Sequence, residues 1–262
     1  MKILLPILLV GILLLGCKDN GQKKQTVEVT AVDTSLFSQS VTKIIPIEHA
    51  TLVLEWNDIT IYIDPVGGPE AFEGQKEPNL ILITDIHGDH LSVETLEALN
   101  TKNAKLVVPE AVAEKLPDNF TPQTDVLNNG DTREYEGITI EAVPMYNLRK
   151  EALEFHTKGR GNGYILNLGE KRFYFSGDTE DISEMRALKN IDKAFICMNL
   201  PYTMTPESAA DAVLEFQPKQ VYPYHYRGKP DVSDVEKFKS IVEASNSDIE
   251  VVQYDWYPND DF

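Results

Sequence analysis

The chain has 262 residues, with 24 basic against 42 acidic side chains and a formal net charge of −18. That excess of acid argues against a nucleic-acid partner, because phosphate backbones are held by basic surfaces. The two cysteines are too few for a disulfide framework, and 42% apolar with 25% charged residues is ordinary for one large or two small globular domains.

In chain order, Lys2 is followed by an apolar run that is short for a membrane span and ends Leu14-Leu15-Gly16-Cys17. This run resembles a bacterial lipoprotein signal, in which the cysteine is lipidated and becomes the new N-terminus. Residues 1–16 are then a signal peptide, Cys17 the lipidation site, and residues 17–40 an aperiodic flexible tether. The expected location is the bacterial cell envelope, outside the cytoplasm, with the membrane reached through the lipid anchor alone. Cys197 is left as a free thiol in the core.

The folded domain is expected over residues 41–262. Residues 51–56 and 59–63 read as two strands joined by the tight turn Asn57-Asp58. His49 precedes the first strand and Asp64 ends the second; His49 is a candidate for the pocket, and Asp64 for orienting a ligand histidine. The apolar run 80–83 predicts a buried strand, and Ser92 is placed to cap a helix carrying Val93, Leu96 and Leu99. Between them lies Asp85-Ile86-His87-Gly88-Asp89-His90, which holds two of the five histidines in the chain. Convergent nitrogen and oxygen donors at a rigid strand end suit zinc or a similar divalent ion.

The chain then alternates. Strands are expected at 105–108, 138–143, 164–168, 172–175, 194–198, 220–224 and 249–254, with helices at 110–116, 182–188 and after Thr205-Pro206, and a capping box at Ser233 and Glu236. The stretch 148–163 is an irregular loop carrying His156, Arg160 and three glycines. Its length makes it a lid or a wall of a site, and its glycines and bases give only a weak phosphate-loop signal. Asp178 follows one strand in Ser176-Gly177-Asp178-Thr179, and His225 follows another.

The order of these motifs, from about Lys43 to the C-terminus, resembles the metallo-β-lactamase superfamily, in a branch of metal-dependent hydrolases similar to ascorbate-phosphate lactonases. The resemblance implies an α/β fold, a four-layer αβ/βα sandwich of two mixed sheets with the site along one edge. The family motif His-x-His-x-Asp-His stands here with Asp85 in place of its first histidine. By resemblance the metal ligands are Asp85, His87, Asp89, His90, Asp178 and His225, with Asp89 and Asp178 as the catalytic carboxylates. One position (Asp89, His90, Asp178, His225) is complete. The other has His87 and Asp85, with His156 as its auxiliary ligand; Asn147 and His49 are further substrate or auxiliary candidates. One or two zinc ions are implied, with manganese or magnesium at the weaker position. The implied reaction is hydrolysis of a small-molecule ester, lactone or phosphoester by metal-activated water. A membrane-associated, phospholipase-like phosphodiesterase is the second reading, and a metal-containing binding lipoprotein without turnover the third. The oligomeric state is open.

Overall fold

The structure, a computed structural model, describes residues 42–258. The proposed signal, Cys17 and the tether lie outside the described residues. Among the described residues no helix is long and apolar enough to cross a membrane.

Two mixed sheets form the fold. The first has β1 (Lys43–Glu48), β2 (Thr51–Trp56), β3 (Ile59–Ile63), β4 (Leu80–Leu82), β5 (Lys105–Val108) and β6 (Thr124–Val126) side by side in chain order. Strands β1 to β3 run antiparallel, and β3 to β6 parallel. Helices α1 (Val93–Ala98) and α2 (Glu110–Ala113) are its crossovers. The second sheet has β7 (Thr132–Tyr135), β8 (Ile138–Met145), β9 (Gly161–Leu168), β10 (Lys171–Phe175), β11 (Lys193–Cys197), β12 (Gln220–Tyr224) and β13 (Glu250–Val251). Its connections include α3 (Ser183–Arg186), α4 (Pro206–Phe216) and α5 (Val235–Ser245).

Alternation along the strands sets the layers. Leu52, Leu54, Ile61, Ile63, Leu80 and Leu82 turn inward to meet Ile138, Ile140, Leu166 and Phe173 of the second sheet. Val53, Tyr62, Ile81, Ile83 and Leu106 turn outward and pack under Leu96 and Val112 of the helices. In the second sheet Phe195 is stacked between Phe175 and Tyr222, both ring pairs at 4.7 Å; emptying such a position costs about 3–5 kcal/mol. The expected sandwich of two mixed sheets between helices is therefore present.

Several boundaries differ from the expected ones. Strand β1 was hidden because it is a half-buried edge strand with Pro46 in its middle. Strand β7 is also an edge, and its Thr-Arg-Glu-Tyr sequence lacks an apolar stripe. The expected strand 249–254 pairs only at Glu250–Val251, after which the chain leaves the sheet. Helix α5 is capped by Asp234, which accepts from the Lys237 amide at 2.8 Å. Ser233 instead donates to the Met198 carbonyl. The caps at Ser92 and Thr205 form as expected.

Cys197 is fully buried, and burial pushes its thiol up to about 12. It is expected to resist a thiol reagent at pH 8 in the folded protein and to react at once in denaturant. Prompt labelling of Cys197 in the native protein, located by peptide mapping to distinguish it from Cys17, would contradict this packing.

Candidate metal centre

Strand ends supply the site. The segment Thr84–His90 follows β4, Asp178 follows β10, and His225 follows β12, all at C-terminal ends of parallel or central strands, where α/β folds place their ligands. His49 occupies the turn between β1 and β2. His49, Asp64 and His225 all hold left-handed backbone angles, with φ of 58°, 45° and 47°. Such angles are costly for residues with a Cβ and gather where surrounding structure imposes them. Gly177 lets β10 turn toward the site. Its φ is +59°, and a Cβ there would sit 2.7 Å from Met145 Sδ.

The fold brings together His90, Asp178 and His225, all buried. Asp178 Oδ2 is 3.4 Å from His90 Nε2 and 3.0 Å from His156 Nε2, and its Oδ1 is 3.1 Å from His225 Nε2. The Nε2 atoms of His90 and His225 are 3.0 Å apart. Asp89 closes the group from the cleft side, with Oδ2 3.6 Å from His225 Nε2 and Oδ1 3.9 Å from His90 Nε2. Asp178 Oδ1 has no hydrogen-bond partner despite that close approach. A buried carboxylate oxygen left without a hydrogen is free to bind an ion, and two imidazoles with two carboxylates are the donors a divalent ion of the zinc type takes. The residues therefore fit a metal ion.

Buried behind this group, Asp64 fixes the His90 ring. Its Oδ2 meets His90 Nδ1 at 2.8 Å, while its two oxygens accept from the Thr84 amide and hydroxyl, each at 2.7 Å. A ring whose Nδ1 is held by a carboxylate presents Nε2 outward.

Electrostatics point the same way. Burial opposes charge on Asp178, but the facing His225, His90 and His156 outweigh it and hold the carboxyl well below the usual range. Burial likewise opposes charge on His90, but Asp178 and Asp64 hold its pKa well above that of an ordinary imidazole. Burial keeps His225 well below it. Asp89 is lowered as well: burial is outweighed by the hydrogen bond from His49 and the charges of His90 and His225. The carboxylates of Asp178 and Asp89 are thus held toward the charged form that a metal site requires.

The remaining candidates fall in different places. His156, from the loop between β8 and β9, is buried at the site. His49 stands against the His225 ring at 3.8 Å and reaches Asp89 Oδ2 at 3.3 Å through Nε2, with its Nδ1 2.7 Å from the Tyr257 hydroxyl. Asp85 is fully buried and makes a two-pronged ion pair with Arg160. Asn147 does not line the cleft. Its amide group donates to the Ala152 and Tyr202 carbonyls at 2.8 and 2.7 Å, and its backbone N–H donates to the His156 carbonyl at 2.9 Å. It therefore fastens the loop that delivers His156. Buried Glu180 pins the start of that loop, accepting from the Leu148 and Arg149 amides and from Arg149 Nε at 2.9, 2.8 and 2.7 Å. The loop is a tied wall of the site.

A cleft of about 530 Å³ opens onto the centre. It is lined by His49, His87, Asp89, His156 and Asp178, by the touching rings of Phe155 and Tyr202, and by Arg227 and Lys229. Sequence reasoning expected the loop at 148–163 to be a lid or a wall of the site, but did not single out Tyr202, Arg227, Lys229 or Arg160. Two bases flanking a glycine at 158–160 were the available signal for Arg160, and they were read as a weak phosphate loop.

Comparison with known proteins agrees with this geometry. Residues 43–225 match the β-lactamase superfamily domain. A UPF0173 metal-dependent hydrolase of Methanopyrus kandleri is 31% identical over 214 residues, covering 78% of this chain and 93% of that protein. One from Thermococcus onnurineus is 32% identical over 191 residues, covering 70% and 84%. A crystal structure from Parabacteroides distasonis, described as a candidate metal-dependent hydrolase, superposes with a TM-score of 0.72 at 37% identity, covering 81% of this chain and 92% of that one. The chain belongs to the metallo-β-lactamase superfamily, in its UPF0173 family of metal-dependent hydrolases.

Proposed function

We propose that this metal-dependent hydrolase acts on a small anionic ester, lactone or phosphoester, with zinc held by Asp89, His90, Asp178 and His225. The observation that carries the reading is the convergence of these four side chains beside a cleft that Asp89 and Asp178 line together with Arg227 and Lys229. When bound, the ion lowers the pKa of water toward neutrality and polarises the scissile oxygen. The protein's own groups do the rest. Asp89 is 42% exposed at its side chain, against 3% for Asp178, so Asp89 is the carboxylate placed to take the proton of the attacking water. His49 Nε2 steadies that carboxylate, and Tyr257 steadies His49. Asp178, deep in the site, holds three imidazoles in place. Arg227 and Lys229 suit a phosphate or carboxylate on the substrate. An ascorbate-phosphate-like lactone is one member of that class.

A lipidated Cys17 would hold this site at the cell envelope, and one feature favours the phospholipase-like reading. Among the described residues the large exposed apolar side chains are Val126, Leu148, Leu153 and Phe155, and three of these lie on the loop beside the cleft. A loop of that kind suits contact with lipid.

The deciding experiment compares metal-free and zinc-loaded protein on lactones, carboxylic esters, phosphomonoesters and phosphodiesters, and on phospholipid vesicles. Zinc-dependent turnover of a soluble anionic substrate is expected, and neutralising Lys229→Ala should raise KM several-fold with little change in kcat. Turnover confined to vesicles would favour the second reading. A zinc-loaded protein inert on every class would overturn the proposal and leave the binding lipoprotein.

A further inference from the structure

Asp85, His87 and His156 form a second group whose donor atoms all lie within 4.8 Å of one another. By residue type it matches a metal site, yet it already contains a cation. Arg160 donates through Nε to Asp85 Oδ1 at 2.9 Å and through Nη2 to Oδ2 at 2.7 Å. His87 Nδ1 lies 2.9 Å from the same Oδ2. Arg160 Nη2 also donates to the Phe155 carbonyl at 2.6 Å and stands 3.5 Å from His87 Nε2. We infer that Arg160 is the resident cation of this group, so that the protein binds a single metal ion, at Asp89, His90, Asp178 and His225, with the guanidinium in place of a second.

Three physical points support this. A guanidinium is always charged, and its planar fork matches a carboxylate at two points. A divalent ion bound to Asp85 would stand within a few ångströms of that fixed charge, in a setting where water screens poorly. Both Asp85 oxygens accept from Arg160, so a metal ion there would compete with the guanidinium for the same carboxylate and cost the arginine, at 16% exposure, its counter-charge. The pairing is also anchored by the main chain. Arg160 immediately precedes β9, whose Asn162 amide donates to the Thr84 carbonyl at 2.9 Å. A Cβ on Gly161 would sit 2.7 Å from that same oxygen. The backbones carrying Arg160 and Asp85 are therefore locked side by side, and the arginine is positioned as part of the fold.

This inference rests on the metal-dependent reading, and its test separates the two. Wild type, Arg160→Gln, Arg160→Lys and the double variant Arg160→Gln/His156→Ala are loaded with excess zinc, exchanged into metal-free buffer and measured for zinc per chain. Wild type and Arg160→Lys, which keeps the charge, are expected to retain one ion. Arg160→Gln frees Asp85 and should retain a second, bound at least about tenfold more tightly than any second ion in wild type; the double variant should lose it again. Zinc-edge anomalous scattering from wild-type crystals is expected to show one peak, beside Asp178 and His225. A second peak between Asp85 and His87 would overturn the inference without any variant having to fold, as would Arg160→Gln remaining at one ion. Wild type retaining no zinc would sink the metal reading itself.

Discussion

Replacing Asp178 by alanine is expected to empty the metal centre and to lower kcat/KM by more than about 100-fold, beyond the range seen when only a supporting group is removed. Asp178 faces three imidazoles, those of His90, His156 and His225, at 3.0 to 3.4 Å. Without it the nearest carboxylate to His225 is Asp89, at 3.6 Å and from the solvent side. The variant would keep nitrogen donors but lose the buried negative charge that offsets the ion. Loss should appear in both metal content after desalting and turnover, with the near-ultraviolet circular dichroism of the folded core retained. An Asp178→Ala protein that keeps its zinc through desalting would show that the centre is organised around other groups. Asp178→Asn makes a second test, since it keeps the shape and removes the charge; it should lose metal nearly as completely.

The sequence carried the fold wherever burial imposed a pattern. Continuous apolar runs such as 80–83 and 194–198 became interior parallel strands, because a strand covered on both faces has no polar side. The edge strands β1 and β7 were illegible for the complementary reason: neither has a buried residue. The candidate site was legible where a ligand-type side chain follows a strand, as with His90, Asp178 and His225. It was not legible where a loop delivers the group. Nothing in the local sequence says that Asn147 ties Ala152 and Tyr202 together, or that Arg160 meets Asp85 across 75 residues of chain. Those contacts depend on which loops the two sheets bring face to face. The identity of Asp85 was visible, but its ion pair with Arg160 was not.

Exchanging Asp64 for asparagine is expected to weaken zinc binding by about 10- to 100-fold, although Asp64 belongs to the layer behind the ligands. Its carboxylate is fully buried and accepts from the Thr84 amide, the Thr84 hydroxyl and His90 Nδ1. With a carboxylate there, His90 must carry its proton on Nδ1 and leave Nε2 free for the metal. An asparagine can still accept from the Thr84 amide, but it then turns its NH2 toward His90. That favours the tautomer with the proton on Nε2, where the ion belongs. The metal-free protein offers an independent check through pH. Burial alone would lower the His90 pKa, yet Asp178 and Asp64 raise it well above the ordinary value. A group raised in this way contributes stability that is complete below about pH 6.5 and fades as pH climbs through its folded pKa. Unfolding curves of metal-free wild type should therefore show this contribution declining on the alkaline side, and Asp64→Asn should show less of that decline. Asp64→Ala should share the loss of metal affinity and cost about 1–3 kcal/mol more stability than asparagine, because it leaves the Thr84 amide unpaired in the interior. Zinc titration against a competing chelator, with thermal unfolding from pH 6 to 9, measures both effects. Wild-type zinc affinity in Asp64→Asn would mean that packing alone, and not the Asp64 carboxylate, sets the orientation of His90.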